Sequence, residues 1–568
     1  MSSFSRRDLL KAFLAGGISG SPALGSNEPP IFREVAAEVG LNFHHFNGAT
    51  GHLYLPEIMG PGVALFDYDN DGDLDVYLIQ GNQLDPVRKP PAGWKPGNRL
   101  FKNLLAETGE LRFVDVTEKA GVGHLGYGMG VAVGDYDNDG FLDLYVTNFG
   151  HNVLYHNNGN GTFTDVTQLA GVDDPHWSTS ASWVDFDGDG YLDLFVCNYT
   201  DFTVEGNREC FSPWGEPDYC TPKVYHAVPP RLFRNLRNGK FEDVGEASGI
   251  NSSYGPGLGV VSADFNGDGR PDIYVANDSA ANRLWINQGN GRFRESGLES
   301  GVAYSMDGLA KAGMGVTLAD VANNGSQVLL VTNMTREGVT VFEGDAKGQF
   351  DDLSAQFGLL QPTFGYTGFG TQWFDYDNDG WLDLLIANGG VMLPASGRSE
   401  GSRYAQRKQL FHNEGRGKPF RETSNLAGAA FQVPEVSRAA AFGDIDNDGA
   451  IDIVVANDGG PVRLFRNQIG ARRHWLIVKL EAPTVNRFAI GAQVTLLRPR
   501  QDPLRRRVST DSSYLSANDV RVHFGLGDTR DIEAVVVDWP GGLHERFEGV
   551  KCDRIVTLRQ GTGKRIEK

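Results

Sequence analysis

A nine-residue acidic pattern, Asp-x-Asp-x-Asp-Gly-x-x-Asp, recurs along this chain and constrains its fold more than any other feature. It stands first as Asp67-Tyr68-Asp69-Asn70-Asp71-Gly72-Asp73-Leu74-Asp75, and further versions begin at Asp135, Asp185, Asp264, Asp320, Asp375 and Asp444. The intervals are 68, 50, 79, 56, 55 and 69 residues. Small and β-branched residues precede each copy, as in Gly128 to Gly134, and a strand-like run follows, as in Leu144-Tyr145-Val146-Thr147. A third element reads Arg99-Leu100-Phe101-Lys102-Asn103, and a fourth reads Phe163-Thr164-Asp165-Val166-Thr167. Four short strands per unit, at a period above about 40 residues, predict a β-propeller blade. Seven units predict seven blades.

The two ends of the repeat region complement each other. The seventh unit stops after Arg463 to Asn467 without a fourth element, whereas Phe32 to Val35, with Val39 to Leu41, stands near the start without the other three. An open ring would expose sheet edges, so the N-terminal strand is expected to complete the seventh blade.

The acidic loops suit calcium, which takes six to eight hard oxygen ligands. Positions 1, 3, 5 and 9 supply Asp67, Asp69, Asp71 and Asp75; Asp135, Asp137, Asp139 and Asp143; Asp185, Asp187, Asp189 and Asp193; Asp264, Asn266, Asp268 and Asp272; Asp375, Asp377, Asp379 and Asp383; and Asp444, Asp446, Asp448 and Asp452. Glycine at position 6 permits the sharp bend. Ordinary turn chemistry explains one such loop, but six crowded sets of carboxyl groups need a counter-charge. The fifth loop has Asp320, Ala322, Asn324 and Val328 in the same slots and is expected to hold no ion. About six Ca²⁺ sites are therefore predicted.

Composition narrows the partners. Lys and Arg number 52 against 72 Asp and Glu, a formal charge of −20, which disfavours a nucleic-acid partner. No apolar run approaches the roughly 18 residues of a membrane-spanning helix. Residues 1–26 read as a twin-arginine-like export signal, with Arg6-Arg7 before a weakly apolar stretch and then small residues. Export to a periplasmic or secreted location would give a calcium-rich, disulfide-permissive setting. There Cys210 and Cys220 are expected to form a disulfide, with Cys197 and Cys552 as buried free thiols.

The three parts are thus residues 1–26, a propeller over 27–467 and a tail over 468–568. The tail carries 18 Lys and Arg against 12 Asp and Glu, and its alternating runs predict a small β-sandwich-like domain. The fold class is all-β. Arg505-Arg506-Arg507 is expected at a connection or strand edge, as a solvated basic face or a contact with the acidic ring. The repeats resemble the FG-GAP/VCBS propellers, and the whole resembles the cartilage acidic protein family. His474 to Leu480, Asn486 to Ala492, Val522 to Gly527 and Val537 to Gly541 are similar to the ASPIC/UnbV domain that ends that family. The resemblance implies a secreted calcium-binding protein and carries no catalytic residues onto this sequence.

The long insertions, 80–98, 200–230 and 389–409, all join second to third strands and so emerge opposite the acidic loops. Insertions gathered on one side often mark a binding face. Around the axis on that side, fourth-to-first connections bring His45, Glu57, His124, Tyr127, His176 and Trp177, which are candidate ligand-binding residues. The expected function is a calcium-stabilised exported module that recognises a protein or glycan through that face. The alternative is an exported enzyme with a transition metal at the axial mouth.

Overall fold

The structure, a computed structural model, describes residues 29–85, 94–345, 347–394, 403–484 and 486–567. The export segment lies outside the described residues, as do parts of two insertions. Seven four-stranded antiparallel sheets follow one another along the chain. In the first, Val63–Phe66, Asp75–Leu78, Arg99–Asn103 and Phe113–Asp115 pair in that order. The innermost strands of successive sheets touch in a closed cycle, Val63–Phe66, Tyr127–Gly134, Ser178–Val184, Gly257–Ala263, Val316–Ala319, Gly368–Phe374 and Ser437–Gly443, and back to Val63–Phe66.

The ring closes as its ends predict. Phe32–Glu34 pairs antiparallel with Arg463–Asn467, with Phe32 opposite Asn467. Phe32 is buried and stacks on Phe431 at 5.8 Å, so this strand fills a core as well as covering an edge. Crowding at the axis explains the inner glycines: a Cβ on Gly259 would lie 2.2 Å from the Met314 carbonyl oxygen of the next sheet.

The asparagine that ends each third strand joins neighbouring sheets. Asn103 Nδ2 donates to the Ile445 carbonyl at 3.0 Å, across the closure, and Asn157 Nδ2 donates to that of Tyr68 at 2.8 Å. Asn235, Asn287, Asn413 and Asn467 repeat the bond to the sheet before them. The fifth sheet has Gly344 there and lacks the donor.

Beyond the ring, two sheets bury a common core that includes Leu476, Val494, Phe524, Val535 and Trp539. One has three strands, Val522–Gly527, His474–Glu481 and Arg554–Arg559; the other has five and begins at its edge with Leu504–Arg507. The basic triplet therefore sits at a strand edge, as expected. The tail is less separate than its charge suggested, because residues 510–518 enter the axis of the ring. Ser516 and Ala517 pair in parallel with Val63 and Ala64. Thr510 Oγ1 donates to the Val133 carbonyl at 2.7 Å, and the Leu515 amide donates to Ser180 Oγ at 3.1 Å. Asp511 Oδ2 accepts from the Ser262 amide at 2.8 Å. Ser513 exchanges backbone bonds with Val316, and its Oγ accepts from the Thr371 amide and donates to the Ala440 carbonyl. All seven inner strands thus bond to one nine-residue segment.

Candidate functional site

Each acidic loop is folded by its own carboxylates. Asp67 accepts the amides of Asp71 and Gly72 at 3.1 and 3.0 Å, which draws the chain around position 1. Gly72 has φ 95°, a left-handed conformation that favours glycine. Asp75 accepts the Tyr68 amide at 3.0 Å and the Asn103 amide at 2.9 Å, locking the loop to the third strand. The same pair of bonds recurs at Asp143, Asp193, Asp272, Asp383 and Asp452. Position 9 is therefore a structural anchor as well as a candidate ligand.

Loops also join to loops. Asn70 Nδ2 donates to the Gly140 carbonyl at 2.9 Å, and Asn447 Nδ2 returns to that of Gly72 at 3.3 Å.

The donor set fits a hard cation. The Oδ1 atoms of Asp69, Asp137, Asp377 and Asp446, all at position 3, are buried without a hydrogen-bond partner. Ligand atoms of Asp67, Asp69 and Asp71 lie within 4.8 Å of one another. Burial, ahead of like-charge repulsion, pushes the position-1 carboxyls up, to about 6 for Asp67 and Asp185 and about 8 for Asp135 and Asp444. Such carboxylates call for positive charge.

Some of that charge comes from the chain itself, from residues not among the sequence candidates. The residue before the asparagine of the third strand reaches over the loop: Lys102 to Asp69 at 2.5 Å, Arg234 to Asp187 at 2.8 Å, and Arg466 to Asp446. His156 lies 3.3 Å from Asp137, and His412 lies 3.0 Å from Asp383. The cationic x in Arg-Leu-Phe-x-Asn was the available signal. At the degenerate fifth loop this position is Glu343, and the charge of Asp320 faces Arg505 of the C-terminal domain at 3.5 Å.

The axial residues do not form one open site. His45, Glu57 and Tyr127 belong to a single buried network: Asn47 Nδ2 donates to the Glu57 carbonyl at 2.9 Å and to Asp458 Oδ2 at 3.3 Å, and Tyr127 Oη donates to the Asn47 carbonyl at 2.8 Å. His45 Nδ1 accepts the Gly459 amide at 3.1 Å, with Asp458 Oδ1 3.3 Å away. Burial raises the Glu57 carboxyl to about 7, although Tyr219 Oη and the Thr50 amide donate to it. His176 pairs instead with buried Asp174 at 2.5 Å, which also meets Arg231. Burial lowers the pKa of His124, whose Nε2 has no partner. Trp177 is 2% exposed among Phe149, Tyr199 and Phe202 and cannot stack a sugar. The apolar cluster around it is completed by Tyr514 and Leu515 of the axial segment.

The insertions cover this mouth. Cys210 and Cys220 are bonded, with Cα atoms 5.1 Å apart, and tie a hairpin. Asp218 of that hairpin accepts the Leu393 amide and Tyr404 Oη, both at 2.8 Å, from the insertion of the sixth sheet. Cys197 is buried, as expected, and burial raises its thiol. Cys552 is only partly buried, because it lies with Asp553 in a surface bend that precedes Arg554–Arg559.

Comparison with known proteins agrees with this architecture. The FG-GAP-like repeat model matches residues 67–146, 135–196, 219–275 and 264–331, and the ASPIC and UnbV model matches 482–565. The chain carries FG-GAP-like repeats and an ASPIC/UnbV domain, and it is similar to cartilage acidic protein 1. The Xenopus tropicalis protein of that name is 25% identical over 510 residues, 86% of this chain and 71% of the relative. The Mus musculus protein is 28% identical over 53% of this chain, and the match spans 44% of its length. Among solved structures, the Dos1 propeller shares 11% identity over 76% of this chain and 95% of its own, with a TM-score of 0.37. An Agrocybe aegerita lectin that recognises non-reducing terminal N-acetylglucosamine shares 16% over 70% and 85%, with the same score. Scores at that level carry nothing about the ligand of these FG-GAP repeats.

Proposed function

We propose that this protein is an exported, calcium-stabilised binding module that recognises a protein or glycan through the face opposite the acidic loops. One observation carries the choice of face. The acidic-loop side is covered by the C-terminal domain: Arg473 meets Asp377 at 3.1 Å, Arg487 donates to the Asn138 carbonyl at 2.7 Å, and Arg521 donates to that of Asp444 at 3.0 Å. The insertion side instead presents the disulfide-tied hairpin with Phe211 62% and Trp214 51% exposed. Exposed aromatics on a rigid loop suit recognition, since they offer large contact area at small conformational cost.

Calcium would sit in the six acidic loops, where its charge answers the buried carboxylates. No helix among the described residues is long and apolar enough to cross a membrane, which is compatible with export. A glycan and extracellular-protein array probed with wild type and Trp214→Ala tests the face. Signals that fall in the variant support the reading; signals of equal strength in both contradict it.

A further inference from the structure

A cleft of about 610 Å³ lies between the ring and the C-terminal domain, away from the insertion face. It falls within the range of small-molecule sites. Its unmatched polar atoms are nearly all donors. Arg506 lines it, 8% exposed, and its Nε and Nη2 have no hydrogen-bond partner, while Nη1 donates to the Arg505 carbonyl at 2.9 Å. Trp539 Nε1 and Arg507 Nε, also on the lining, are buried and unpartnered. The one unmatched acceptor there among the described residues is Gln327 Oε1.

The other cations of the cleft are paired. Arg505 faces Asp320, Arg507 meets Asp511 at 2.8 Å, Arg521 meets Asp519 at 2.8 Å, and His544 meets Asp538 at 2.7 Å. Asp375 accepts the amides of Asp379 and Gly380 within its own loop. Arg506 is left without a salt bridge: its guanidinium lies 5.7 Å from the Phe524 ring centroid, and Asp375 and Asp320 attract it without bonding to it, so a buried cation keeps two unused donors, which is unfavourable unless a closer counter-charge is supplied. The two free atoms, Nε and Nη2, form the side edge of the guanidinium, which matches two oxygens of one anion.

We propose that this interdomain cleft binds a small oxyanion, a carboxylate or sulfate group, held side-on by Arg506 with Trp539 as a third donor. The apolar walls, Ile477, Leu318 and Phe442, leave room for an organic body behind the anionic group. The site is separate from the insertion face and does not depend on the reading of that face.

Calorimetric titration of the dialysed full chain, in calcium buffer, with sodium sulfate, acetate and glucuronate tests this. Saturable binding of at least one, weakened about tenfold or more in Arg506→Lys, is expected, because lysine keeps the charge but loses the paired donors. Binding by sulfate alone would assign an inorganic or sulfated group, and binding by glucuronate over acetate an organic acid. No saturable binding, or equal affinity in the variant, overturns the proposal. Should Arg506→Lys fail to fold, wild-type crystals soaked in selenate decide: an anomalous peak on the Nε and Nη2 edge supports the site, and its absence overturns it.

Discussion

The two faces of the ring are built by opposite rules. On the acidic-loop face every unit contributes the same parts: a position-1 aspartate that folds the turn, in six of them a position-9 aspartate that anchors it, and in most a cation above it. On the insertion face the short fourth-to-first turns still repeat, as at Thr117–Ala120 and Thr167–Ala170, but the long insertions of the first, third and sixth sheets differ from one another, and the candidate residues around the axis have different polar partners. Repetition makes one face a structural belt, joined from loop to loop by Asn70 and its counterparts. Irregularity leaves the other free to carry a specific surface. The C-terminal domain sharpens the difference, because it covers the belt and sends residues 510–518 through the axis.

Removing that axial segment should have the largest effect. Replacing residues 510–518 with a Gly/Ser linker of equal length leaves the inner strands of all seven sheets without these partners. The melting temperature should fall by about 10 °C or more, since buried polar groups lose their bonds. A ring of unchanged melting temperature would mean that the segment is an ornament on a self-sufficient fold.

Deleting residues 27–42 should come next in effect. Arg463–Asn467 would become an open edge, and size-exclusion chromatography should show aggregation. A monomer of unchanged stability would show that the last sheet stands without its borrowed strand.

Glu57 distinguishes burial from function under the insertion cap. Burial holds its carboxyl at about 7 against an ordinary value of 4.5, so the folded protein keeps a proton that the unfolded chain has released between those values. Its contribution to stability is complete below the lower value and is lost as pH rises through the higher one. Glu57→Gln keeps an acceptor oxygen for the Thr50 amide, turns its other polar atom into a donor that the Tyr219 hydroxyl oxygen can accept, and should be more stable than wild type at pH 8, by up to about 3 kcal/mol. Denaturant titrations at pH 4.5 and pH 8 check it; a variant less stable than wild type at both would assign the carboxylate a needed charge.

Trp214→Ala should have the smallest effect on the fold and the largest on recognition. Exposed surface substitutions usually change stability by under about 0.5 kcal/mol. A substantial loss of stability would show that the hairpin tip is a structural part of the cap.

The sequence revealed most of what repetition built. Seven acidic patterns read as seven sheets, the unmatched Phe32 strand as the ring's closure, and Cys210 with Cys220 as a loop staple, because each follows from local spacing. It concealed what depends on distant packing. Nothing in Thr510 to Asn518 marks an axial segment: its serines and its left-handed Ser512, Ser513 and Leu515 acquire meaning only against seven converging strands. Trp177 and His176 are neighbours in sequence, yet one enters an apolar cluster and the other pairs with Asp174, since adjacent strand-end residues point to opposite sides. Lys102 and its counterparts were legible only after the third strand had been placed over the loop.

Six of the seven loops on the acidic face are expected to take calcium, and the fifth, faced by Arg505, to take none. Native mass spectrometry of the protein at millimolar calcium, before and after EDTA, decides this, with a melting curve recorded on each sample. About six calcium ions per chain and a marked fall in melting temperature on chelation are expected, since a ligand bound only to the folded state contributes roughly 2–3 kcal/mol per site at about 100 times its Kd. Two ions or fewer, or the same melting curve with and without EDTA, would contradict it.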